Sequence, residues 1–139
     1  MNLIEALKRD EGAVIKDGRH RVYQDSLGFQ TVGYGRLLSR GFSQDEADHL
    51  LTNDIQEART AAEKYPWYST LDHVRQDVVT AMIFNLGPTS FAGFHNLIAA
   101  LSKGDWVTAS NEAMDSKWAK QVGSRASRYA ASLLTGVWA

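Results

Sequence analysis

The sequence predicts an α+β fold, with a small glycine-rich β lobe near the start and a mainly helical remainder. Three observations carry this. Residues 12–42 hold six of the eleven glycines and no run of helical periodicity, so they read as hairpin and loop. Ser43-Gln44-Asp45-Glu46 is a capping box, in which a serine hydroxyl and the glutamate at N3 satisfy orphan amides at a helix start. Beyond it, apolar residues recur at helical spacing and are interrupted only at Pro66, Gly87-Pro88, Gly104, Gly123 and Gly136. A chain of 139 residues is one domain that can bury about two-thirds of its unfolded surface.

The elements follow in order. Residues 3–11 form a short amphipathic helix ended by Gly12. Leu3, Ile4 and Leu7 cannot make a core with a hairpin alone, so this helix is expected to join the helical lobe. Asp25-Ser26-Leu27-Gly28 is a tight turn, with aspartate at its first position. Residues 29–35 read as a strand with Phe29, Thr31 and Gly33 on one face. Residues 43–64 form a helix whose inner face carries Ala47, Leu50, Leu51, Ile55, Ala58, Ala61 and Ala62. At ~1.5 Å per residue it is about 33 Å long, enough to connect two lobes. Further helices fit 70–86, 91–102, a segment capped by Asp105, a short one near Trp118, and a last one capped by Ser124 and stopped by Gly136. The lobes are therefore 12–42 (β), 1–11 with 65–139 (helical) and 43–64 (connecting helix). Trp67, Trp106, Trp118 and Trp138 are expected as core anchors.

Composition excludes several functions. There is no cysteine, hence no disulfide, thiolate chemistry or thiolate zinc site. His20, His49, His73 and His95 lack metal-ligand spacing, and no metal or cofactor is expected. A net charge of −1 argues against nucleic acid as partner. No acid follows Asp115, while Lys117, Lys120, Arg125 and Arg128 are basic; these are either solvated helix faces or one wall of a cleft for an anionic polymer. Gly33-Tyr34-Gly35 is not a phosphate loop, because Leu38 replaces the third glycine. No G-x-S-x-G elbow is present. No apolar run approaches the roughly 18 residues of a membrane span, and the first residues lack the pattern of a signal peptide.

What remains is a helix-end carboxyl, Glu11, near a hairpin carboxyl, Asp25, with Thr31 just beyond. Two acids on opposite sides of one bond suit glycoside cleavage: one protonates the leaving oxygen and the other stabilises charge or activates water. A helix C-terminus disfavours a carboxylate and so favours the proton-holding form of Glu11, while a nearby arginine would push the other way. The alternative for Asp25 is a turn-stabilising aspartate, and for Thr31 an ordinary strand residue. Arg36 and Asp54 could pair between the β lobe and the long helix.

These residues lie in recognisable motifs. Asp10-Glu11-Gly12 resembles the helix-end E-G of the phage-type lysozymes, the endolysin group of glycoside hydrolase family 24, which includes the T-even phage enzymes. Tyr23-Gln24-Asp25-Ser26-Leu27-Gly28-Phe29-Gln30-Thr31-Val32-Gly33-Tyr34-Gly35 resembles that family's Y-x-D-x-x-G-x-x-T-[IV]-G-Y-G hairpin. Phe84-Asn85-Leu86-Gly87, Ser116-Lys117-Trp118 and Gly123-Ser124-Arg125-Ala126 resemble its later blocks. The resemblance covers essentially the whole chain. It implies a lysozyme-like fold and hydrolysis of the β-1,4 bond between N-acetylmuramic acid and N-acetylglucosamine in peptidoglycan, with inversion. Glu11 would be the general acid, and Asp25 and Thr31 would position water. Asn85 matches a cleft-lining amide, Arg125 matches the arginine that pairs with the catalytic glutamate, and Gly35 is a supporting position.

Two departures stand out. The span from Glu11 to Asp25 is longer than in the T-even enzymes, with Lys16-Asp17-Gly18-Arg19-His20-Arg21 as the extra turn. Where many relatives read G-H after the hairpin, this chain reads Gly35-Arg36, so the family's histidine–aspartate pair would become Arg36 with Asp54 and lose its sensitivity near neutral pH. The resemblance further implies a monomer made in the host cytoplasm, released through a holin lesion to reach periplasmic peptidoglycan for host lysis. A tail-associated or prophage-encoded enzyme, a lytic transglycosylase and an inactive cell-wall-binding module are the alternatives.

Overall fold

In a computed structural model that describes residues 1–139, the chain divides into two compact units, Met1–Asp48 and His49–Ala139. Short antiparallel strands occupy part of the first and eight α-helices run through the chain, which is the α+β class the sequence predicts.

The first unit begins with α1 (Leu3–Glu11). Asn2 caps it by a reciprocal pair of 2.9 Å bonds: the Asn2 side chain accepts from the Glu5 amide, and the Glu5 carboxylate accepts from the Asn2 amide. Gly12 ends the helix at φ 66 and donates to the Lys8 carbonyl. No residue of α1 is buried. The sequence expectation grouped residues 1–11 with the helical lobe; here they fall in the unit that holds the strands.

β1 (Ile15–Lys16) and β2 (Arg19–His20) form a two-residue hairpin. Its turn residues Asp17 and Gly18 have φ 55 and 73, the left-handed pair for which Asp-Gly is suited. The extra turn marked in the sequence is thus a small hairpin of its own. β3 (Tyr23–Gln24), β4 (Gln30–Val32) and β5 (Arg36–Leu37) make a second antiparallel sheet with β4 in the centre. The Asp25 turn joins β3 to β4 and closes with a 3.0 Å bond from the Gly28 amide to the Asp25 carbonyl. β4 is shorter than the 29–35 expected, because Gly33 and Gly35 turn to positive φ (64 and 78) and leave the ladder.

α2 (Gln44–Glu63) starts with the predicted capping box. The Ser43 hydroxyl accepts from the Glu46 amide at 3.2 Å, and the Glu46 carboxylate accepts from the Ser43 amide at 2.9 Å. α2 crosses the boundary between the units. The second unit then adds α3 (His73–Leu86), α4 (Pro88–Ala92), α5 (His95–Lys103), α6 (Trp106–Met114), α7 (Lys117–Val122) and α8 (Ser124–Thr135). α3 is central. Val78, Val79, Met82 and Ile83 are all buried, so more than one of its faces is covered. Phe91, Leu97, Leu101 and Leu133 close the core around it.

Three expectations are corrected here. The single helix over 91–102 is two: Pro88 starts α4 at a first-turn position that needs no amide, and Gly93-Phe94 break the chain before α5. Ser124 is not the cap of α8. Gly123 holds that place, and the Ser124 hydroxyl accepts from Arg128 inside the helix. Trp138 is not a core anchor. It is 47% exposed and sets its ring edge-on to Tyr129.

The end of α8 is closed by a buried cation. Arg75 donates to the carbonyls of Leu133 and Leu134 at 2.7 and 2.9 Å and to Asp72, and its guanidinium lies 4.0 Å from the Trp106 ring centroid. A cation on the last carbonyls of a helix complements its dipole. Gly136 follows in the left-handed region, and a Cβ there would lie 2.9 Å from the guanidinium. No helix of the protein is long and apolar enough to cross a membrane.

Candidate active site

The first unit holds five of the candidate residues, Glu11, Asp25, Thr31, Gly35 and Arg36, and sets Glu11 against Gly35. Glu11 is the last residue of α1, and its side chain is exposed. Its carboxyl lies over the bare backbone of Gly35; a Cβ built on Gly35 would sit 2.7 Å from Glu11 Oε2. The general-acid candidate is therefore seated against the loop between β4 and β5. A side chain at this position would displace the carboxyl from that seat, and φ +78 independently favours glycine.

Asp25 works as a turn residue and as a carboxylate at once. Its Oδ1 accepts from the amides of both Leu27 and Phe29 at 2.9 Å, which fixes the side chain on the hairpin. Thr31, opposite Tyr23 and Leu37 in the central strand, is 2% exposed. Its hydroxyl donates to the Phe29 carbonyl at 3.0 Å, so its oxygen can still accept. Asp25 follows β3 directly and opens the turn into the strand that carries Thr31.

Arg36 does not take Asp54 as its partner. Its guanidinium donates to both carboxylate oxygens of Glu46, to the Gly41 carbonyl, and lies 5.7 Å from the centroid of the Phe42 ring. The physical reason is local: the capping box already holds the Glu46 carboxylate at the start of α2, where a strand-end arginine ten residues earlier in the chain reaches it. Bonds from Arg36, and from the amide and hydroxyl of Ser43, hold the Glu46 carboxyl down at about 2. Asp54, in the second unit, lines a cleft of about 310 Å³ with Glu57, Gly87 and Pro88 among others.

The other candidates also lie in the second unit. Asn85, near the end of α3, accepts from the Trp118 indole at 2.7 Å, so its oxygen is fixed and its amide donors are left to face outward. Arg125 is exposed in the first turn of α8, and Lys117, Lys120 and Arg128 are exposed as well. No group of three or more histidine or acidic side chains is placed to hold a metal ion.

Three neighbours of the site went unread in the sequence. Tyr34, between the two loop glycines, has the Lys8 ammonium 5.5 Å from its ring centroid and the His20 ring at 5.1 Å in an edge arrangement. Lys8 is one turn before Glu11 on α1, which a helical wheel shows. The His20 contact crosses between hairpins and leaves no local signal.

The phage lysozyme family model matches residues 13–132, so Glu11 stands just ahead of the matched stretch. Among curated proteins, the pre-baseplate central spike protein Gp5 of Enterobacteria phage T4 is 26% identical over 166 aligned residues, which take in 98% of this chain and 28% of that protein. The chain thus spans under a third of this relative's length.

Proposed function

The chain belongs to the phage lysozyme family, and from that premise we propose that it is a peptidoglycan hydrolase of the glycosidase type. The bond cleaved is the β-1,4 linkage between N-acetylmuramic acid and N-acetylglucosamine. The observation that supports this reading is Glu11, a helix-end carboxyl seated on Gly35 at one loop of a sheet whose central strand carries Thr31 and whose β3–β4 turn carries Asp25. Glu11 protonates the leaving glycosidic oxygen. Asp25 has one oxygen tied to the turn amides, and its other oxygen activates water with the Thr31 hydroxyl as co-acceptor. Attack from the far face inverts the anomeric centre, which asks for carboxyls about 6.5–9.5 Å apart. Asn85 and Arg125 are supporting residues in this proposal, on the family resemblance.

The test is clearing of outer-membrane-permeabilised cells. Wild type should lower turbidity, and Glu11→Gln should not. Substantial activity in that variant would remove Glu11 from its role. One observation favours a second reading: the Thr31 hydroxyl is buried and already spends its proton on Phe29, and a lytic transglycosylase needs only the one acid. Product mass separates the two, since hydrolysis adds a water and transglycosylation leaves an anhydro end.

For biological role we propose host lysis by a monomer made in the host cytoplasm and released to the periplasm by a holin. Similarity to a central spike protein favours a tail-associated role instead. Detection of this chain in purified virions would support the spike reading, and its absence there with abundance in lysates would support the holin route.

A further inference from the structure

We propose that the added β1–β2 hairpin is a brace for the general acid, with His20 and Tyr34 as positioning residues for Glu11; this rests on the reading of Glu11 as the acid. The carboxyl of Glu11 lies against Gly35, where a Cβ would meet it at 2.7 Å, so a shift of the Gly33-Tyr34-Gly35 loop shifts the surface on which the carboxyl rests. That loop has little stiffness of its own. Both glycines sit at positive φ, and a glycine-flanked loop has more freedom to lose than any other. The Val32–Arg36 ladder pair pins its two ends, and the Tyr34 side chain adds an anchor at its middle, held from two sides.

From α1, Lys8 presents its ammonium to the Tyr34 ring at 5.5 Å, within the ~6 Å reach of a cation–π contact. From β2, His20 meets the same ring at 5.1 Å with an interplanar angle of 72°, the edge arrangement that aromatic pairs favour. α1 buries no residue, so these ring contacts count for more than they would beside an apolar core. Lys8 and Glu11 are three residues apart on one helix and hence on one face. The ring that Lys8 covers thus aligns the stretch of α1 that carries the acid, while His20 ties the ring to the hairpin.

The experiment pairs kinetics on purified sacculi with the side-chain NMR resonances of Glu11, in wild type, His20→Ala, His20→Phe and a distant control, Val107→Ala. We expect His20→Ala to lower kcat by roughly tenfold, the scale of a sub-ångström misplacement of a reacting group, with KM and Tm little changed. His20→Phe, which keeps a ring at the same place, should recover most of kcat. The γ-methylene resonances of Glu11 should move in His20→Ala, return in His20→Phe and stay put in Val107→Ala. Unchanged Glu11 resonances in His20→Ala would overturn the proposal whatever the rate does, and so would a loss carried by KM or not recovered by phenylalanine. If wild type releases no product, the hydrolase reading fails by itself, and the Glu11 resonances still decide the brace.

Discussion

Every buried apolar side chain of this protein lies between Ala58 and Leu133, whereas the first unit buries Thr31 alone. The second unit is held by area removed from water. The first is held by caps, turn amides, short strand ladders and arginine–carboxylate pairs, Arg36–Glu46 the least exposed of them. A lobe built in the second way can keep carboxyls at the surface, as Glu11 is kept. Its cost is that each polar contact matters, because no core is there to absorb its loss.

The comparison can be pressed hardest in the second unit. Phe91→Ala removes a fully buried ring and should cost about 3–5 kcal/mol. All four tryptophans lie in this unit, so their fluorescence during denaturant unfolding reads the loss. Gly136→Ala should cost less, about 1–3 kcal/mol, from a strained positive φ and displacement of Arg75 from the end of α8. A Gly136→Ala protein as stable as wild type would show that the guanidinium can shift freely.

The smallest effect belongs to the first unit and depends on pH. The folded-state pKa of Glu46 is lowered, so its ion pair contributes stability above the unfolded value of 4.5, and that contribution is lost as pH falls through about 2. Glu46→Gln should therefore speed amide exchange across Arg36–Glu46 at pH 6, with the difference from wild type shrinking towards pH 2. A constant difference across that window would mean that the carboxylate's charge is immaterial.

Features fixed by adjacent residues were legible in the sequence. The Ser43–Glu46 box, the Asp25 turn and the Gly136 stop each draw on partners a few residues away, and the structure has all three. The equally local Asn2–Glu5 box is legible too, since asparagine caps as serine does. The break at Gly93-Phe94 was not legible, because glycine alone does not tell a helix end from a tolerated interior residue. Pairing at a distance was hidden for another reason. Arg36 has several acids within reach along the chain, and only the path of the loop after β5 selects Glu46 over Asp54. For the candidate site, sequence pattern proposes Glu11, Asp25 and Thr31, while the seat that Gly35 makes for Glu11 and the aromatic contact from His20 needed coordinates.

Glu46 answers to the amide of Ser43 and the guanidinium of Arg36 together. Fraying at the front of α2 therefore loosens the end of β5 in the same event. A strand and a helix that share no ladder then open as one foldon, and protection factors at Leu37 and Ala47 should rise and fall in step.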